Sequence, residues 1–157
     1  MDIKLQFTNK TNEAFLRLAM QANKAGSIEI NRKTEIGKYI CSRVRYSNLP
    51  VNQSSGTLLL LPKRTLESKS SFYLYYTVED QKKINDYLEA MFNIFFREVM
   101  LEGREQGIKF TMILEAYITA IKLRDDNKIY GRLKKFDWRN RKKATFFIEN
   151  IIQLVDL

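Results

Sequence analysis

The 157-residue chain has no histidine, one cysteine, two prolines and six glycines. The missing histidine removes the usual zinc site, the Ser-His-Asp and Cys-His nucleophile systems, and the side chain that most often moves protons near neutral pH. With Cys41 alone, an internal disulfide and a thiolate cluster are both excluded. Its place in a helical pattern with Ile40 and Val44 predicts a buried thiol rather than a reactive one. Scarce glycine and proline leave no room for flexible linkers or collagen-like repeats, so turns are few and helices are favoured. Long apolar runs are missing too. The longest, Leu58-Leu59-Leu60-Leu61, stops at Pro62 and is too short to span a bilayer. The opening residues 1–7 alternate polar and apolar and contain no apolar signal-peptide core. The expected location is therefore cytoplasmic, with no membrane partner.

Hydrophobic residues make up 45% of the chain and charged residues 29%, which describes a globular protein and not a disordered tail. The length is enough to bury a core without covalent staples. Twenty-seven Lys and Arg against 18 Asp and Glu give a net charge of +9. Such a balance concerns partners more than fold, with nucleic acid first and an anionic membrane or acidic protein second.

Alternation over residues 2–7 predicts a strand with Ile3, Leu5 and Phe7 on one face. Thr11 is the expected N-cap of a helix carrying Ala14, Phe15, Leu18 and Ala19 and ending near Gly26. Ser27-Ile28-Glu29-Ile30 predicts a short strand. Thr34 opens a second helix through Ile36, Tyr39, Ile40 and Val44, which must stop before Pro50. Residues 52–56 read as a loop. Residues 57–61 and 72–77 read as strands, joined by a polar, basic connection at 62–71, and are candidates for a long-looped hairpin. In the second run Phe72, Leu74 and Tyr76 fall on one side and Tyr73 and Tyr75 on the other, as for a strand with one half-exposed face.

From Thr77 the pattern turns helical. Thr77 with Asp80 matches a capping box that uses Asp in place of Glu or Gln. Ile84, Leu88, Met91, Phe95, Val99 and then Leu101 or Glu102 trace the buried stripe of a helix of about six turns, ended by Gly103 and Gly107. Residues 108–123 predict a helix whose apolar face is Phe110, Ile113, Leu114, Tyr117, Ile118 and Ile121. Asp125 or Asp126 is the expected cap of a short helix with Ile129, Tyr130 and Leu133. Asp137 is the expected cap of a last helix that buries Phe147, Ile148, Ile151, Ile152 and Val155.

Charge concentrates in residues 122–143, where ten cations face three anions for a net +7. A weaker cluster holds Arg32, Lys33, Lys38, Arg43 and Arg45 against Glu35. One helix ends near Leu123, an acidic turn follows, and a second helix begins near Asp126, which is the outline of a helix-turn-helix. In that outline Ile129, Tyr130 and Leu133 anchor the second helix. Lys128, Arg132 and Lys135 project on one outer face. Asn127 stands at its N-terminal end, in reach of an adenine edge or a phosphate. Beyond Trp138, the run Arg139-Asn140-Arg141-Lys142-Lys143 tracks the backbone and neutralises phosphates. Through Leu123 and Ile129-Tyr130-Gly131-Arg132-Leu133, residues 118–133 resemble helix-turn-helix proteins of the recombinase and repressor kind. The likeness covers about one-tenth of the chain. It departs from the pattern at the customary turn glycine, which is Lys122 here, and in a turn one residue longer. The competing reading is a solvated basic face, the commonest fate of a Lys/Arg run.

Carboxylate chemistry of the metal-dependent nuclease kind has candidates in Glu102, Glu105, Lys109 and Asp125-Asp126, but their spacing shows no convergence from separate elements. No phosphate-cradling glycine loop is present. The expectation is a predominantly helical α+β protein, 1–157 as a single domain, with a mixed part at 1–76 and a helical nucleic-acid-binding part at 77–157 as its subdivision. Its expected function is binding rather than catalysis, with no cofactor or metal. The partner is nucleic acid, DNA before RNA, in transcriptional regulation or as a replication or recombination accessory factor. The candidate site is Lys122, Arg124, Asn127, Lys128, Arg132, Lys134, Lys135, Arg139, Arg141, Lys142 and Lys143. A non-catalytic protein-interaction module, docking through Phe92 and Phe96, is the alternative. A second copy of the chain is a further candidate partner.

Overall fold

A computed structural model describes residues 1–22, 26–52, 55–63, 73–122 and 128–155, with the side chains of 146, 147, 154 and 155 outside the description. The fold is α+β and predominantly helical. In chain order the elements are β1 (Asp2–Leu5), α1 (Lys10–Ala19), β2 (Ile28–Glu29), α2 (Glu35–Ser42), β3 (Arg45–Ser47), β4 (Thr57–Leu60), β5 (Tyr73–Tyr75), α3 (Val78–Glu105), α4 (Phe110–Ala120) and α5 (Ile129–Val155). The chain divides into two compact units, Met1–Phe92 and Asn93–Leu157, with the division inside α3.

In the first unit the strands form two small sheets. β4 lies between β1, antiparallel with Ile3 opposite Leu59, and β2, parallel with Ile28 opposite Leu59. Ile3, Leu5, Ile28 and Leu59 are sealed from solvent, so period-two alternation gives the sheet one buried face. β3 and β5 pair antiparallel in a separate ribbon, with Tyr46 opposite Leu74. The expected hairpin between 57–61 and 72–77 is therefore not formed: β4 pairs with β1 and β2, and β5 with β3. The connection between them lies largely outside the described residues, as do Phe72 and part of the 52–56 loop.

Helix starts follow local chemistry. Thr34 accepts from the Gly37 N–H at 3.0 Å and caps α2. α1 starts earlier than expected. Asn9, not Thr11, is its cap, accepting from Asn12 N–H at 2.9 Å, and the helix ends at Ala19. Thr77 and Asp80 form the reciprocal box at the head of α3: Asp80 N–H donates to the Thr77 hydroxyl (3.0 Å) and Thr77 N–H to the Asp80 carboxylate (3.1 Å). Cys41 is buried. Phe15 meets Phe92 edge-to-face at 5.7 Å.

A polar knot sits inside this apolar unit. The buried Asn85 of α3 accepts from Thr8 N–H (2.9 Å) and Asn12 Nδ2 (3.1 Å), and its own amide donates to the carbonyls of Gln6 (2.9 Å) and Gln81 (2.8 Å). One side chain thus satisfies the backbone that leaves β1 and enters α1.

The large apolar residues that α3 buries are Ile84, Leu88, Phe92, Phe96 and Met100, a strict four-residue step. Phe95 and Leu101, expected in the stripe, are 42% and 58% exposed. α3 also runs through Gly103 to Glu105. Gly107, at φ +74°, ends it: Ile108 N–H returns to the Gly103 carbonyl and Gly107 N–H to that of Arg104, each at 2.9 Å. Gly103 serves packing instead, since a Cβ there would stand 2.5 Å from Ile113 Cδ1 of α4.

In the second unit, Phe96 packs on Tyr117 (5.2 Å between ring centres) and Phe136 (5.7 Å), with Ile113, Leu114, Ile118, Ile121, Ile129 and Leu133 buried around them. The short helix and separate last helix expected after the turn are one continuous α5 of 27 residues. Asp137 is not a cap but a buried residue within it. Ile148, Ile151 and Ile152, expected in the core, are 56%, 43% and 53% exposed. Length explains this. By the helical rise α5 extends about 40 Å and α4 about 16 Å, so α5 outruns the helix it packs on. Phe147 and Val155 lie outside the described side chains.

Candidate nucleic-acid interface

α4 ends at Ala120 because the chain turns left-handed at Lys122 (φ +58°). That is the position where the resembled motif carries glycine, and an L-residue there costs about 1 kcal/mol. Leu123, Arg124, Asp125, Asp126 and Asn127 lie outside the described residues. α5 begins at Ile129, and the carbonyl of Lys128 just before it accepts from Arg132 N–H at 3.1 Å. Ile129 and Leu133, each 2% exposed, fix this end of α5 in the core.

Lys122, Lys128, Arg132, Lys134, Lys135, Arg139, Arg141, Lys142 and Lys143 are all exposed. Stepping about 100° per residue, Lys128, Lys135, Arg139 and Lys142 fall within an arc of about 60°. Arg132 and Lys143 border this arc on one side, and Lys134, Trp138 and Arg141 on the other. The remaining arc carries Ile129, Leu133, Phe136, Asp137 and Asn140, the packed side of the helix. The cations thus form one continuous, broad solvent face on α5.

Arg141 is partly balanced from within. The carboxylate of Asp137, 3% exposed, accepts from Arg104 Nη2 of α3 and faces Arg141 Nε at 3.1 Å, one turn along α5. Both guanidiniums also stand near the Phe110 ring, at 5.8 and 6.0 Å. A buried carboxylate is tolerable here because two arginines hold it. Burial against Phe96 pushes the Tyr117 phenol of α4 up, so it stays neutral.

Trp138, the chain's one tryptophan, is 51% exposed beside the basic arc. The Lys142 ammonium stands 4.0 Å from its ring centre. Trp138, Arg141, Lys142, Thr145 and Glu149 line an open groove of about 370 Å³ along α5. Trp138 is not among the expected site residues, although Trp followed by Lys at the fourth position is legible in the sequence as a stacked pair. The Arg104–Asp137 contact had no local signal.

Other candidates behave differently. Phe92 and Phe96, the expected docking residues of the protein-interaction reading, are 5% and 0% exposed and belong to the cores. Glu102 receives Gln106 Nε2 at 2.8 Å in its own helix. Among the described residues no group of three acidic or cysteine side chains is placed to hold a metal ion, and no helix is long and apolar enough to cross a membrane. Compared with protein-family models, with curated proteins and with solved structures, the chain matches none of them.

Proposed function

We propose that the second unit binds nucleic acid, double-stranded DNA before RNA, by laying the basic face of α5 along phosphates, with α4 and the Lys122 turn as the first half of a helix-turn-helix-like element. The supporting observation is the segregation on α5: exposed cations share one broad arc and the apolar and acidic anchors the other. Like charges crowded on one rigid helix repel one another, and a polyanion relieves that repulsion while releasing counterions. The reading assigns no reaction to the protein. It describes a cytoplasmic binding factor in transcriptional control, replication or recombination.

A gel-shift series on duplex DNA, single-stranded DNA and RNA tests it. Lys135→Glu with Arg139→Glu inverts two charges at the centre of the arc and is expected to weaken retention sharply. Retention equal to wild type would reject the reading. The exposed Ile148, Ile151 and Ile152 favour a second reading, a protein-interaction surface on the far end of α5. Its signature is a salt-insensitive complex with a protein and no retention of DNA.

A further inference from the structure

We propose that Trp138 is a stacking platform for an unpaired base, so that the groove it shares with Arg141 and Lys142 takes a single-stranded stretch of nucleic acid. The inference rests on the binding function proposed above and names the form of the ligand at one end of that face. Three observations carry it. The indole is half exposed, whereas Ile129 and Leu133 on the same helix are buried and Phe136 is partly covered by its contact with Phe96. It stands on the border of the cationic arc, so a base lying on it brings its phosphates over Lys135, Arg139 and Lys142. The groove beside it is open, with an aromatic wall, two cations and Thr145, and Glu149 at its C-terminal end.

The chemistry selects against a closed duplex. A base inside a duplex already stacks on both neighbours and offers a protein only its edge, whereas an unpaired base presents a whole π-face. An indole beside cations matches the second ligand, because stacking tolerates any base while the cations hold the backbone. Lys142, now 4.0 Å from the ring centre, occupies the π-face as a cation does. Its flexible stem lets the ammonium move to a phosphate when a base arrives. The Thr145 hydroxyl donates to the Arg141 carbonyl at 3.0 Å and is therefore engaged by its own helix rather than by a ligand.

The lone tryptophan makes the test direct, because all indole emission comes from this site. Full-length protein is titrated with an unstructured single-stranded oligonucleotide in DNA and RNA forms, and with a blunt duplex. Indole emission and fluorescence anisotropy of a labelled oligonucleotide are read together. Single strands are expected to quench the emission at saturation more strongly than the blunt duplex does. Trp138→Ala is expected to weaken single-strand binding about 5- to 150-fold, the range of one lost stacked base, with Trp138→Phe recovering much of it. Quenching without loss in Trp138→Ala, or equal affinity of wild type and Trp138→Ala for single strands, overturns the stacking role. If binding then remains steeply salt-dependent, the proposed phosphate-binding function stands without it. If no nucleic acid binds at all, both fall.

Discussion

Arg104 donates to the buried carboxylate of Asp137, joining α3 to α5 at the point where α5 turns its basic face outward. Arg141 completes the clasp from one turn along α5. The same carboxylate therefore fixes the helix in its unit and neutralises part of the face proposed to bind phosphate. Asp137→Ala leaves Arg104 facing a void and is expected to cost about 3 kcal/mol of stability, measured by urea unfolding. Asp137→Asn keeps the shape, costs about half as much, and is expected to tighten DNA binding at low salt by releasing Arg141.

Asp80 carries the corresponding burden in the first unit. Its carboxylate accepts from Arg45 Nε (2.6 Å) and Nη2 (3.2 Å) and from Thr77 N–H. The Arg45 hydrogen bonds, ahead of those from Thr77, hold it well below the usual carboxylate range against the opposing effect of burial. A folded-state value below the unfolded one, which is about 3.9, contributes stability that is complete above that pH and lost as pH falls through the folded value. Acid unfolding followed by circular dichroism is expected to show this limb, and Asp80→Asn to flatten it while costing about 2 kcal/mol at neutral pH.

Asn85 offers a sharper test of the first unit. Its amide oxygen accepts from Thr8 N–H, the Thr8 hydroxyl and Asn12 Nδ2, and its amide nitrogen donates to two carbonyls, so Asn85→Leu takes this partner from the part-buried Thr8 N–H and Gln6 carbonyl. The expected loss is about 1–3 kcal/mol. Asn85→Asp keeps the acceptor and loses the donor, and is expected to fall between the two. Thermal unfolding ranks the three chains.

Lys122 is held left-handed at φ +58°. Lys122→Gly removes that strain but enlarges the unfolded ensemble, so a net gain below about 1 kcal/mol is expected. Lys122→Val, β-branched at the same φ, is expected to lose about 1–2 kcal/mol. Paired melting curves decide the sign.

Local chemistry was legible wherever neighbours in sequence settle it. Thr34 capping α2, the Thr77–Asp80 box and the apolar face of α4 all read correctly because cap and periodicity act within a few residues. Strand pairing did not, because Leu58, Leu59 and Leu60 fit a partner strand of either direction on either side and only the assembled unit places antiparallel β1 and parallel β2 there. In α3 the pairs Met91-Phe92 and Phe95-Phe96 offer two stripes one residue apart, and the core takes Phe92 and Phe96. At Asp137 the local pattern favours a cap, because aspartate is a preferred N-cap residue. Its counter-charges, Arg104 and Arg141, make a mid-helix site acceptable, and one of them comes from a different helix. On α5 the spacing of the cations already implied a shared face. The exposure of Trp138 did not follow from spacing.

The most direct test of the nucleic-acid reading is the salt dependence of duplex binding, log K against log salt, for wild type and for Lys135→Glu with Arg139→Glu. Wild type is expected to give a steep negative slope, flattened by about 2 in the double variant if both side chains contact phosphates. A shallow slope in wild type, or the same slope in both chains, would contradict a phosphate-binding role for the basic face of α5.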